Sequence, residues 1–349
     1  MKRLAALEGL RGYAAFLVFL VHSCGLVLAR VHGIEDDQMS IREVSPAVAV
    51  LLFFFRSHYG VDLFFVLSGM LMADIAARRW PGARTFLARR ALRIYPAYLA
   101  SLAIAVWATI AVFDKPVAAS HVAANVVFLQ GFFVLGIPAL NPITWSLSYE
   151  AAFYLSVPLL ALAWRRTGTW MFPVAFLGIV ALAAALPGEK TIYFAYFALF
   201  VPGVWLGSLD AEARELLARR LPGGAAVGAW VVFALAFKFG LFSNRDPLYY
   251  VASGVACALL VLKLCDGASP LARWLSTPAA LALGRISYSF FLIHYVVLHV
   301  LGRWLDDAGM APGGAFAATI FLGGFAAATL AAWALYAVAE RFYFRRRGR

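Results

Sequence analysis

The sequence predicts an all-α, polytopic integral membrane protein with about ten transmembrane helices. Three observations lead there. Of 349 residues, 63% are apolar and only 14% charged, with a mean hydropathy of +0.81; a soluble chain is nearer half apolar and a quarter charged. Apolar runs recur along the whole length, most of them close to the ~20 residues a helix needs to cross a bilayer. The runs are continuous and not alternating, which selects helices over a barrel. No polar stretch is long enough for a second, soluble domain, so residues 1–349 read as one membrane domain.

In chain order the candidate spans are about 9–30, 58–76, 95–113, 143–164, 170–187, 191–208, 225–242, 248–265, 286–303 and 314–338. Arg11, Gly12 and Tyr13 interrupt what would be the apolar stretch of a cleavable signal, so the first helix is read as retained. Segments 47–55 and 121–137 are apolar but short. They read as interfacial or re-entrant helices, with either open to being an eleventh span. The loop 209–221 is amphipathic and reads as a helix lying on the membrane surface. Cys24, Cys257 and Cys265 fall in or beside apolar runs without metal-ligand spacing, so they read as packing residues and no metal is expected.

Ten spans put both termini on one side. The segments that then share that side hold 22 of the 30 lysines and arginines. That bias predicts cytoplasmic termini. It also absorbs the net charge of +12, so the bilayer is the expected partner and nucleic acid is not.

Against this background the ionisable residues inside spans stand out, because they are costly at bilayer depth and mark pathways or sites. Arg11 and His22 are eleven residues apart on the first span, which puts them roughly 16 Å apart along the axis and within roughly 20° of one face. Counted from the span ends opposite the termini, His22 lies roughly 12 Å deep, Asp62 roughly 6 Å and Glu150 roughly 10 Å. Three helices thus bring a histidine and two carboxylates to similar height. A histidine accepts a proton near neutral pH, and a carboxylate on its other nitrogen would fix its tautomer. A proton relay through the same residues is the rival reading.

At the opposite height, Arg89 and Arg93 share a helix face at i, i+4, and Arg90 and Arg93 at i, i+3. Guanidinium forks on one face suit phosphate oxygens. Topology determination and anionic-lipid binding explain the same arginines.

Five segments in order resemble one family, the membrane-bound acyltransferases of the acyltransferase-3 type. They are Leu7-Glu8-Gly9-Leu10-Arg11-Gly12 with His22, and Gly60-Val61-Asp62-Leu63-Phe64-Phe65-Val66-Leu67-Ser68-Gly69. Next come Arg89-Arg90-Ala91-Leu92-Arg93-Ile94-Tyr95-Pro96, Trp145-Ser146-Leu147-Ser148-Tyr149-Glu150 with Phe153-Tyr154, and Leu283-Gly284-Arg285-Ile286-Ser287-Tyr288-Ser289 with His294. The resemblance implies a multi-pass protein of the bacterial cytoplasmic (inner) membrane. It implies a donor, acyl-CoA and in the first instance acetyl-CoA, entering from the cytoplasm, and a hydroxyl on a glycan or glycolipid presented from outside. It implies His22 as the catalytic residue and Arg89, Arg90 and Arg93 as contacts for the CoA phosphates; Arg11 is expected to help hold the donor or to neutralise charge along the channel. One departure is that Ala151 and Ala152 follow Glu150, where the family often has a second glutamate. The chain also ends eleven residues after Val338, without the esterase-like domain fused to some members.

The resulting expectation is an O-acyltransferase in which His22 is general base, oriented by Asp62 or Glu150. Ser68, Trp145, Tyr288 and His294 are expected on the substrate side. The alternatives are a proton-coupled glycolipid or small-molecule transporter and a non-enzymatic scaffold.

Overall fold

The structure, a computed structural model, describes residues 2–34, 44–168 and 171–341. The described chain is helical, with α1 (Lys2–His32), α2 (Pro46–Phe55), α3 (Gly60–Arg78), α4 (Ala83–Ala111), α5 (Ala119–Val126), α6 (Trp145–Thr167) and α7 (Met171–Ala185). There follow α8 (Thr191–Ser208), α9 (Ala211–Arg220), α10 (Gly223–Lys238), α11 (Pro247–Leu264), α12 (Pro270–Leu275), α13 (Pro278–Asp307) and α14 (Gly314–Glu340).

Among the described residues eight segments are helices long and apolar enough to span a membrane, and the count reaches nine if the bent pair α9–α10 is taken as one span. The expected span 170–187 forms only the 15-residue α7, which at 1.5 Å per residue reaches about 22 Å, short of a ~30 Å hydrocarbon core. The first nine residues of α8, Thr191–Leu199, are 3-10 helix. Their steeper rise of about 2 Å per residue lets a short segment reach about 30 Å. The chain turns by 81° between α9 and α10, so the amphipathic segment 209–221 is indeed a helix set across its neighbour. Segment 47–55 is α2, held at its start by the Ser45 hydroxyl accepting from Val48 N at 3.5 Å, and a short turn joins it to α3. Segment 121–137 holds only the eight-residue α5 and a short 3-10 turn, Phe133–Leu135.

The bundle centre is α1, which packs on α13, α2 and α3, while α3 packs along α8. Glycine sets both central contacts. A β-carbon on Gly12 would stand 2.7 Å from the backbone nitrogen of Gly284, and one on Gly203 would stand 1.9 Å from the carbonyl oxygen of Val66. Backbones this close are the usual means of joining helices in lipid, where dispersion and not water exclusion holds them. Gly12 and Gly284 sit in the first and last of the five segments quoted above, so part of that pattern is packing.

The turn between α2 and α3 is tied to the end of α10. Arg56 Nη1 donates to the Lys238 carbonyl at 2.7 Å, and Lys238 Nζ donates to Ser57 Oγ at 2.9 Å and to the Phe53 carbonyl. The start of α6 is fixed in the same manner. Asn141 Nδ2 donates to the Leu292 carbonyl on α13 at 2.8 Å, and Ser148 Oγ accepts from Gly131 N at 2.9 Å.

Candidate active site

One cavity lies between α1, α3, α4, α6 and α13. Its polar lining comes from Arg11, Ser68, Arg90, Arg93, Ser146, Glu150, Tyr154 and Tyr288, and its apolar lining includes Val61, Phe64, Phe65 and Phe291. Each helix contributes through its spacing. Glu150 and Tyr154 are one turn apart on α6, and the Tyr154 hydroxyl donates to Glu150 Oε1. Ser68 Oγ, from α3, donates to the same oxygen at 2.7 Å. On α4, Arg90 and Arg93 face inward, whereas Arg89 is exposed and does not line the cavity. The i, i+3 pair is therefore the one that meets the cavity.

Arg93 is anchored on both sides. It pairs with Glu340, a carboxylate with no exposed side-chain surface, and its guanidinium lies 5.1 Å from the centre of the Tyr288 ring. Tyr288 in turn donates to the Ile94 carbonyl at 3.1 Å, and Ser289 donates to the other oxygen of Glu340. Arg11 differs. Its ionisable neighbours are Arg93, Glu150, Tyr154 and Glu340, yet its guanidinium makes no hydrogen bond or ion pair among the described residues. A guanidinium carries five N–H donors in a planar fork. Those donors face a cavity that also carries Arg90, Arg93 and the Glu150 carboxylate on its wall, and guanidinium forks of this kind suit an anion's oxygens.

His22 lies elsewhere. Its ring centre is 5.3 Å from that of His294 on α13 and 5.1 Å from Tyr295, and its ionisable neighbours are His294, His58 and His299. His294 Nδ1 is 3.0 Å from the Phe290 carbonyl. A carbonyl only accepts, so Nδ1 carries the proton and Nε2 presents a lone pair. That Nε2 is buried and has no hydrogen-bond partner among the described residues. Phe291 connects the two regions, because its ring lines the arginine cavity, packs on Phe64 at 5.8 Å and lies 6.1 Å from His294.

The expectation that Asp62 or Glu150 orients His22 is corrected here. His22 makes no side-chain hydrogen bond among the described residues. Glu150 is held by Ser68 and Tyr154 within the arginine cavity. Asp62 is fully buried, and its Oδ2 accepts from Tyr249 at 2.6 Å and from Ser253 on α11. The carboxylates thus face α3, α6 and α11, not the α1 histidine. Of the remaining expected residues, Ser68 and Tyr288 join the cavity and His294 joins His22. Trp145 lines a separate cleft.

Sequence reasoning did not find Glu340, His58, His299, Tyr249 or Ser253. Glu340 alone carried a signal, as the single acidic residue in the basic C-terminal segment 340–349.

Fold and site together define a multi-pass helical membrane protein with three arginines and a glutamate on the wall of a cavity within its bundle. Residues 4–337 match the family described as "Acyltransferase domain", and the chain belongs to this acyltransferase-3 family. It is similar to the acyltransferase MdmB of Streptomyces mycarofaciens, 27% identical over 85% of this chain and 79% of that one. It is also similar to the exopolysaccharide production protein ExoZ of Rhizobium meliloti, 29% identical over 82% of this chain and 89% of that one. The peptidoglycan O-acetyltransferase OatA of Listeria monocytogenes is 25% identical over 68% of this chain and 44% of its own length. No solved structure matches the chain.

Proposed function

We propose that this protein is an O-acyltransferase of a bacterial cytoplasmic membrane that moves an acyl group, with acetyl the expected case, from acyl-CoA to a hydroxyl of an envelope or secreted glycan. The observation that carries this reading is the Arg11 guanidinium, without a hydrogen bond or ion pair among the described residues, beside Arg90 and Arg93 in one cavity of the bundle. A diphosphate-bearing donor is the ligand such a cluster suits. The names of the relatives MdmB, ExoZ and OatA support acyl transfer and a saccharide acceptor. The lysine and arginine bias supports cytoplasmic termini, with the arginine cavity on that side.

In this reading Arg11, Arg90 and Arg93 bind the anionic part of acyl-CoA, and the thioester extends past Phe64 and Phe291 toward His22. His22 takes the proton of the acceptor hydroxyl as its oxygen bonds to the thioester carbon. The tetrahedral adduct then collapses, the carbon–sulfur bond breaks, and the imidazolium returns the proton to the departing CoA sulfur. His294 replaces the carboxylate expected from sequence, since its Nε2 lone pair can receive an N–H of His22 directly or through one water.

The test is transfer of labelled acetyl from acetyl-CoA into glycan by purified protein in proteoliposomes supplied with native membrane extract. His22→Ala is expected to abolish it. Wild-type transfer by His22→Ala would overturn this reading.

A further inference from the structure

A second recess opens where α3, α6, α8 and α11 begin. The start of α3 sits midway along α1, with Gly60 against Ala14, Leu17 and Val18. The lining of the recess is unlike that of the arginine cavity. Phe133, Trp145, Tyr193 and Tyr196 form an aromatic wall, and Glu189, Lys190, Asn244 and Arg245 form a polar rim, with His58 also lining it.

The wall is rigidly built. Trp145 and Tyr196 have ring centres 4.8 Å apart, Phe133 and Tyr193 4.9 Å, and Phe133 and Trp145 5.7 Å. Tyr193 and Tyr196 are nearly parallel, at 10° and 6.3 Å. An interfacial belt would account for tryptophan and tyrosine here. Belt residues, however, splay singly toward lipid. These rings pack on one another and line a concavity whose rim is charged and amide-bearing.

The geometry points to this cleft as the acceptor site, taking a saccharide ring stacked on Trp145, Tyr193 and Tyr196. A sugar is amphipathic in the way the cleft is: its C–H faces suit aromatic surface, and its hydroxyls suit the ring of donors and acceptors around it. The cleft also lies toward the proposed base. His58 lines it and is an ionisable neighbour of His22, which places the cleft on the His22 side of the bundle. The two cavities stand back to back. His58, in the turn before α3, and Val61, in its first turn, line the cleft and the arginine cavity respectively, and Trp145 and Ser146 divide in the same way on α6.

This assignment rests on the acyl-transfer reading above, and its test separates the two. The photo-reactive residue p-benzoylphenylalanine is introduced at position 193 of the full chain in cells, and adducts are analysed by mass spectrometry after irradiation. A hexose-bearing adduct is the expected result. An adduct carrying phospholipid or protein without sugar, or no adduct, would overturn the assignment. In parallel, Tyr193→Ala and the rim variant Asn244→Ala are each expected to lower labelled acetyl incorporation into saccharide by roughly tenfold at limiting acceptor, the size of one lost stacking or hydrogen-bonding contact. Acetyl-CoA binding by titration calorimetry is expected to stay unchanged. Unaltered incorporation in both variants, with His22→Ala inactive, would reject the cleft and keep the transferase. An active His22→Ala would reject the transferase itself.

Discussion

His22 of α1 and His294 of α13 face one another with ring centres 5.3 Å apart, and only one of the four ring nitrogens has a hydrogen-bond partner among the described residues, Nδ1 of His294 on the Phe290 carbonyl. That bond fixes the tautomer of His294 and so fixes what it offers His22, a lone pair and not a proton. His294→Asn keeps an amide donor for Phe290 but has no atom at the Nε2 position, whereas His294→Gln keeps an acceptor near it. We expect His294→Asn to lower kcat by about 10²-fold, within the range for loss of general-base support, with the KM for acetyl-CoA unchanged. His294→Gln should recover most of it. Equal loss in both variants, accompanied by a lower melting temperature, would make His294 a packing residue.

The arginines are expected to divide by orientation. Arg11→Gln and Arg90→Gln should each weaken acetyl-CoA binding by about 10- to 100-fold, the size of a charge-assisted hydrogen bond. Arg89→Gln, on the exposed face, should change affinity little. Titration calorimetry on the detergent-solubilised protein checks both, and unchanged affinity in Arg11→Gln and Arg90→Gln would assign these arginines to topology.

Asp62 is expected to anchor α3 to α11. Asp62→Asn retains an oxygen for Tyr249 and Ser253, so transfer should stay near the wild-type rate. Asp62→Leu orphans two buried hydroxyls, at on the order of 1–3 kcal/mol each, and should lower thermal stability visibly. Loss of turnover in Asp62→Asn without loss of stability would restore Asp62 to the chemistry.

Glu340 is the counter-charge of Arg93. Glu340→Gln removes the carboxylate charge from beside a largely buried guanidinium and should destabilise the protein by about 3 kcal/mol, read as a lower unfolding temperature in detergent. No shift would mean that Arg93 is solvated from the cavity.

Gly203 gives a packing test. A methyl group there meets the Val66 carbonyl at 1.9 Å, so Gly203→Ala must separate α3 from α8, at a cost of about 1–3 kcal/mol. Gly240→Ala tests a different constraint, since it has open space but a φ of +73°; its loss is expected to be smaller.

Much of the site was legible in the sequence because α1 is one continuous helix. Eleven residues fix both the height and the face of Arg11 relative to His22, and the structure keeps them on separate levels. Glu150 and Asp62 were misassigned for a definite reason. Counting residues from a span end gives height but not azimuth, and the missing coordinate is which neighbour each helix turns toward. Glu150 turns to Ser68, and Asp62 turns to α11. Partners 187 or 191 residues away in sequence, such as Tyr249 and Ser253 for Asp62, leave no local periodicity to read. The fold was read well where apolar length decides. It was read less well at α7, which is too short to span alone, and at α8, whose 3-10 half changes the rise per residue.

The back-to-back cavities constrain how this protein can change. Within it, the arginine cavity and the aromatic cleft share helices, so that Trp145 and Ser146, adjacent in sequence, line different recesses. A substitution on that turn of α6 therefore touches two chambers of unlike chemistry through one helix, and neither can be reshaped there without moving the wall of the other.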